Sequence, residues 1–370
     1  MTESNVIELR PDSDDFLSLL LNDTPFIDTR APVEFAQGSF PNAVNLPLMT
    51  DEERTLVGTC YKEQGQDVAI KLGHRLVQGD IKAQRVQAWI DFTEQHPEGY
   101  LYCFRGGLRS KICKQWLADA GHPFPRITGG YKAMRRFLLD SIETISQQHK
   151  FMVLAGQTGA AKTKLLNTLA TSVDLEGIAR HRGSAFGKRV GGQPSQIDFE
   201  NHLAIKLLKQ RHQHPAQAIL LEDESRLIGC RLIPDSLLAS MQQAPIVLLN
   251  APLDERVEHS FDNYILQKLP EWQAVEGDEP GFECFAQELR QSMKNIRKRL
   301  GGQRYEQYSR LLEQAIDLHR EGDSSMHREW IRCLLEQYYD PIYNHHLAHK
   351  MDRVVFQGNA AEVTEYFQGK

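Results

Sequence analysis

The run FMVLAGQTGAAKT, residues 151 to 163, constrains this chain more than any other stretch. Its apolar start reads as a strand buried on both faces, and TKLLNTLATSV beyond it reads as a helix. A strand that feeds a helix through a glycine-rich loop points successive backbone N–H groups into one concavity, which suits a phosphate. Further on, AILLEDES and PIVLLNAP read as strands, with LLASMQQA as the helix between them. Strands alternating with helices imply a parallel α/β sheet.

Within GQTGAAKT the candidate phosphate-binding residues are Gly156, Gly159, Lys162 and Thr163. The backbone would wrap a diphosphate, Lys162 would neutralise its oxygens, and Thr163 is placed to ligate Mg2+. The acids at the end of AILLEDES resemble the second half of such a site, with Glu222, Asp223 or Glu224 able to hold a magnesium-bound water and Asp223 taken as the phosphate-site candidate. The loop resembles a Walker A motif, whose last glycine is Ala161 here, and this counts against efficient NTP hydrolysis. Downstream of the loop, RHRGSAFGKRV collects Arg180, His181, Arg182, Lys188 and Arg189. It reads equally as an anion-contacting loop and as a solvated mobile one, and no lid of paired arginines is evident.

The other half of the chain carries a second glycine loop, CFRGGLRS, residues 103 to 110, directly after the apolar-aromatic run YLY. Short apolar runs at PFID and AVNLP alternate with helical patterns, including a long polar stretch from about Asp67 to His96, so this half also reads as parallel α/β. Cys103 would lie at the carboxyl end of a strand, where N–H groups and the dipole of the next helix favour a thiolate. Gly106 and Gly107 let the loop curl around an oxyanion, and Arg105 and Arg109 add cationic donors. A sulfurtransferase and a cysteine phosphatase both use such a loop, which by itself does not separate them. Cys60, in VGTCYKEQG, is a candidate second thiol, with a packed cysteine as the plainer reading.

A length of 370 residues allows two domains, and a net charge of -6 excludes binding to nucleic acid through overall basicity. Local basic patches remain, at Lys132, Arg135 and Arg136 and around Lys298 and Arg299. Six cysteines without a CxxC pair point to reduced thiols rather than a disulfide frame or a zinc ribbon. The start MTESNVIELRPDSDD has acids where a secretory signal has basic then apolar residues, and no run reaches membrane-spanning length. A cytoplasmic protein with no membrane partner is expected.

FIDTRAPVEFAQGSFPNAVNLP resembles the opening of a rhodanese domain through Asp28, Arg30, Glu34, Phe35, Gly38, Pro41, Ala43, Asn45 and Pro47. Cys103 and Arg109 are separated by one residue more than is usual in rhodaneses, a wider loop that would admit a tetrahedral anion such as phosphate or selenophosphate. The expected order is a rhodanese-like parallel α/β domain over 1–145, a P-loop NTPase-like α/β domain over 146–260, and its helical extension over 261–370. With VGTCYKEQG, CFRGGLRS, GGYKAMRR, GQTGAAKT, RGSAFG, QPSQIDFE and LLEDESRLIG in this order, the chain resembles the tRNA 2-selenouridine synthase family.

The resemblance implies a transferase that replaces sulfur by selenium in the wobble 2-thiouridine of tRNA. Selenophosphate is the implied donor, and the path runs through an S-geranyl intermediate made from geranyl diphosphate. It implies no tightly bound cofactor, tRNA as partner, and a selenophosphate-producing enzyme as a further one. Lys132, Arg135, Arg136, Lys298 and Arg299 would then hold tRNA phosphates. The alternative from another class is a P-loop kinase with a regulatory rhodanese or phosphatase-like module. A non-enzymatic phosphate or RNA sensor is a third reading.

Overall fold

A computed structural model describes residues 10–368. The first nine residues, part of the acidic start read above, lie outside it. Contacts divide the chain into two units, Met1–Thr144 with Ser195–Lys209, and Ile145–Pro194 with Gln210–Lys370. The sequence reading kept all of 146–260 in the second domain, whereas Ser195–Lys209 belongs to the first unit. The division also falls inside the helix Gly130–Gln148.

The first unit is built on three short parallel strands, β1 (Phe26–Asp28), β2 (Ala43–Asn45) and β3 (Tyr100–Tyr102), in the order β2-β1-β3. Isolated parallel bridges from Leu101 to Arg126 and from Ser13 to Ile127 carry the sheet outward. Ile27, Leu101, Trp89, Phe92, Cys113, Leu117 and Phe124 form its core. The polar stretch read as one helix is two, Gln66–Leu76 and Gly79–Gln95, because Gly79 takes a left-handed φ of +55° between them. A further helix, Asp51–Gln64, precedes them behind a capping box in which Thr50 and Glu53 satisfy each other's backbone N–H groups.

Buried polar pairs fix the turn after β1. The Arg30 guanidinium forks onto Asp28 and onto the Gly38 carbonyl and lies 3.8 Å over the Tyr131 ring, all at 2% exposure or less for Arg30 and Asp28. Such a pair is costly to bury, and removing one partner costs about 3–5 kcal/mol. Segment 195–209 is sewn into the same unit by Ser39 N donating to Asp198 at 2.8 Å and Asn201 donating to the Ser39 carbonyl at 2.7 Å.

The second unit holds a five-stranded parallel sheet. Its strands are β4 (Phe151–Ala155), β5 (Ser172–Val173), β6 (Ile219–Glu222), β9 (Ile246–Leu249) and β10 (Val354–Gly358), in the order β10-β9-β4-β6-β5. A small hairpin of β7 (Leu227–Ile228) and β8 (Arg231–Leu232) stands beside it. Every residue of β4, β6 and β9 is buried, as expected for strands covered on both faces. The helix after the phosphate loop covers only Lys162–Leu166, and the chain then turns into β5.

Residues 261–370 are not only helical. After the helices that enclose Phe186, Phe285, Leu289, Tyr308 and Trp330, the chain returns to the sheet as edge strand β10, paired parallel with β9. No helix among the described residues is long and apolar enough to cross a membrane.

Candidate functional site

The Cys103 loop leaves β3 and runs into the twelve-residue helix Leu108–Asp119. Cys103 is 3% exposed, and its Sγ donates to Ser110 Oγ at 3.2 Å, while Ser110 Oγ donates to the Gly107 carbonyl at 3.1 Å. The loop sits on a second glycine turn. Tyr131 N donates to the Cys103 carbonyl and Lys132 N to the Phe104 carbonyl, both at 2.9 Å. Gly106 and Gly130 both need their left-handed φ of +63° and +61°. A Cβ on Gly130 would fall 2.3 Å from the Cys103 carbonyl oxygen and 2.4 Å from Gly106 N, so two backbones meet here with no room for a side chain. Gly107 has no such need, since a Cβ there meets nothing within 4 Å.

Charges around this loop are matched in place. Arg109 grips Glu34 with two bonds, at 2.5 and 3.1 Å, and Arg54 reaches the same carboxylate at 3.2 Å. Burial works to raise the Glu34 pKa, but the hydrogen bond and charge of Arg109 outweigh it and hold the carboxyl below its usual range. Arg126 donates to the Gly106 carbonyl at 3.0 Å while paired with Asp12 at 2.8 Å. Arg105 is exposed beside the Phe104 ring. Cys113, fully buried and close enough to feel Cys103, has its thiol pKa pushed far up, by burial above all, which leaves it an inert neighbour.

The phosphate loop leaves β4 and is clamped from outside. Arg256, 3% exposed, forks onto Asp340 at 2.7 and 2.8 Å and reaches the Thr158 carbonyl at 3.3 Å. At Gly159, φ is +82° and a Cβ would lie 2.7 Å from both the Arg256 carbonyl and Ser260 Oγ. Ala161 stands where a Walker A loop has glycine, and it takes the glycine conformation, with φ of +60°, at a cost of about 1–2 kcal/mol. Lys162 Nζ folds back onto the Gly156 carbonyl at 2.8 Å.

Thr163 Oγ1 donates to Glu222 at 2.8 Å, and Glu222 also accepts from Glu176 N at 2.9 Å. Burial, then the neighbouring Glu176, pushes the Glu222 pKa up to about 8, and Glu176 and Glu224 are raised as well, first of all by burial. Among the described residues no group of three or more His, Cys, Asp or Glu side chains is arranged to hold a metal ion.

The loop opens onto a cleft of about 790 Å³ within the second unit. One part of its lining is polar, with Lys162, Thr163, Arg182 and Arg189. Another is apolar and aromatic, with Tyr264, Tyr339, Ile342, Tyr343 and Leu347. Two of these aromatics come from π-helical turns, Asp262–Leu266 and Leu335–Tyr339, a widened geometry that recurs at functional sites.

Residues 149–370 match the family described as the tRNA 2-selenouridine synthase AAA domain. The chain is 59% identical over 356 residues to the tRNA 2-selenouridine synthase of Hahella chejuensis, covering 96% of this chain and 94% of that protein. It is 50% identical over 363 residues to the one of Marinobacter nauticus, with 98% of each chain covered. It is 51% identical over 363 residues to the one of Pseudomonas entomophila, again with 98% of each covered. The chain belongs to the tRNA 2-selenouridine synthase family.

The residues singled out in the sequence of this family member fall into four groups. Cys103, Arg109, Gly106 and Gly107 come together in one loop, with Arg105 at its exposed rim; Gly156, Gly159, Lys162, Thr163 and Asp223 line the cleft. Within that second set Asp223 is taken by Lys350, at 2.7 and 3.0 Å, and the carboxylate on Thr163 is Glu222. Cys60 is buried at 8% exposure on Asp51–Gln64. Of the basic candidates, Lys132, Arg136, Lys298 and Arg299 are exposed, but Arg135 is spent on Glu200 and Asn201, which holds segment 195–209 in the first unit.

Sequence reasoning left out Glu176, Arg256, Ser260 and the aromatic wall. Only the ordinary helical patterning of 335–347 marked the wall, and nothing local says that it meets a phosphate loop. Of the segment that read equally as an anion-contacting loop and as a solvated one, Arg182 and Arg189 both enter the cleft, a pair that the sequence did not mark as a lid.

Proposed function

We propose that this chain replaces sulfur by selenium in the wobble 2-thiouridine of tRNA, with the second unit making an S-geranyl intermediate and the first supplying selenium. The observation that carries this reading is the composition of the cleft. A phosphate loop there shares one cavity of about 790 Å³ with Tyr264, Tyr339, Ile342, Tyr343 and Leu347, a lining that fits a diphosphate joined to a hydrocarbon chain. Lys162 and Thr163 hold the diphosphate, which brings any Mg2+ with it, and the apolar wall receives the geranyl chain.

The base sulfur attacks C1 of the geranyl group. The S–C1 bond forms, the C1–O bond breaks with its electron pair leaving on diphosphate, and the N3 proton of the base goes to solvent. Alkylation turns a poor leaving group into a thiol. Selenophosphate, held in the Cys103 loop, then attacks C2 of the base through selenium: the Se–C2 bond forms, and the C2–S bond breaks with its electron pair leaving on geranylthiolate, which takes a proton from solvent. Water cleaves the remaining P–Se bond, its hydroxyl going to phosphate and its proton to the base. The start of the helix Leu108–Asp119 supports an anion in that loop. The exposed Lys132, Arg136, Lys298 and Arg299 contact tRNA phosphates, and a separate enzyme makes the selenophosphate.

Nucleoside mass spectrometry tests this with 2-thiouridine tRNA, the purified protein, and geranyl diphosphate and selenophosphate added singly and together. Geranyl diphosphate alone should give S-geranylated uridine, and both together selenouridine. An unchanged base accompanied by ATP consumption would replace this reading with a kinase.

A further inference from the structure

Burying a guanidinium without an anion is unfavourable, since the charge is desolvated and each unpaired N–H forfeits a hydrogen bond. Arg182 comes close to that position, with only a long ion pair to Glu271. Its side chain is 10% exposed, and its Nη1 is enclosed with no hydrogen-bond partner. The contacts it has are long, 3.3 Å from Nη2 to Gln267 Oε1 and 3.9 Å to Glu271. Burial, then the charge of Arg189, lowers its pKa, so a second cation stands close by. Arg189 Nε is also enclosed without a partner, and so is the hydroxyl of Ser260, which is 1% exposed. All three residues line the cleft that contains Lys162. Buried polar atoms of this kind are rare enough in folded proteins to need a reason.

The segment bearing both arginines is not a loose loop. Arg182 N donates to the Gly187 carbonyl at 2.8 Å, Gly187 N to the Ser184 carbonyl at 2.9 Å, and His181 bridges Lys188. Phe186, 1% exposed, plugs the turn into the helical core against Tyr264 and Trp330. Its carbonyl accepts a 2.8 Å bond from the buried ammonium of Lys268, which is itself paired with Glu288. Ser184 Oγ and Tyr264 Oη lie 2.8 Å apart. A turn anchored this firmly holds two like charges together in a cavity before any ligand arrives, which is preorganisation for an anion.

We propose that Arg182 and Arg189 form a second anion clamp, separate from the P-loop, that grips the diphosphate and takes up the charge developing on it as the C1–O bond breaks. The inference rests on the reading of the cleft as a prenyl-diphosphate site. Its chemistry is that of the alkylation step above, with S–C1 formed, C1–O broken and the electron pair retained by the diphosphate. Bidentate donors suit an anion whose charge rises during the reaction better than a single ammonium does.

The test uses the full chain, its Arg182→Gln, Arg189→Gln and Arg182→Lys variants, and inorganic pyrophosphate as probe. Calorimetry should show pyrophosphate binding weakened about 10-fold or more by each glutamine. Geranyl transfer should lose about 100-fold in kcat with a smaller change in KM, and the lysine variant should recover part of it. Because each glutamine removes one of two repelling cations, the ligand-free melting temperature should stay level or rise. Unchanged pyrophosphate affinity and kcat would overturn the clamp, as would a lower ligand-free melting temperature with pyrophosphate affinity intact. If pyrophosphate binding depends on both arginines but geranyl diphosphate yields no S-geranyl product, the clamp stands and the prenyl reading fails.

Discussion

The two glycine loops of this chain solve opposite electrostatic problems. Around Cys103 the guanidinium groups that hold the loop already have acids, Arg109 on Glu34 and Arg126 on Asp12, and the sulfur itself donates to Ser110. In the cleft of the second unit Arg182, Arg189 and Ser260 each present an enclosed polar atom that bonds to nothing. A closed, neutralised loop suits a reagent of few atoms whose chemistry sits on one sulfur or selenium. An open cleft with unpartnered donors suits a polyanion that arrives, reacts and leaves.

The largest expected break in this contrast is Gly130→Ala. The new methyl would strike the Cys103 carbonyl and Gly106 N, so the Cys103 loop should be lost and selenium transfer abolished, while pyrophosphate binding in the cleft persists. Gly106→Ala should do nearly as much, and Gly107→Ala almost nothing. Far-UV circular dichroism with the two assays separates these outcomes.

Next comes Glu34→Gln, which leaves Arg109 and Arg54 without their shared carboxylate and so makes the Cys103 loop resemble the cleft. Urea unfolding should show a loss of about 1–3 kcal/mol in the first unit, and the freed guanidinium should tighten phosphate binding there.

Glu222→Gln sharpens the other side. The Glu222 pKa is about 8 in the folded chain against an ordinary 4.5, so between those values the native state holds more protons than the unfolded chain. Stability therefore falls as pH rises through this window. The variant lacks that titration, and its melting temperature relative to the parent should climb by a few degrees from pH 5 to pH 8. A difference that is flat with pH would contradict the assignment.

The smallest effect is Ala161→Gly. Glycine takes the left-handed conformation freely and should relieve about 1 kcal/mol, partly offset by its greater freedom when unfolded.

What the sequence made legible follows the same divide. Strands β4, β6 and β9 are continuous apolar runs, and each glycine loop stands between a strand and a helix, so local pattern was enough to find them. Strand β10 alternates in burial and follows a long run of helices, so it was hidden among them and is defined only by its pairing with β9. Segment 195–209 looked like part of the second block because nothing local records its bonds to Ser39. For the sites, glycines and charged residues were visible as motifs. Which acid would reach Thr163, and that an aromatic wall would close the cleft, depended on contacts between residues far apart in the chain.

The most direct measurement of the central claim, that the two loops carry separate steps, is nucleoside mass spectrometry of 2-thiouridine tRNA with both substrates and either Cys103→Ser or Lys162→Ala. The account predicts that Cys103→Ser accumulates S-geranylated uridine without selenouridine, and that Lys162→Ala yields neither. Selenouridine formed by Cys103→Ser, or geranylation continuing in Lys162→Ala, would contradict it.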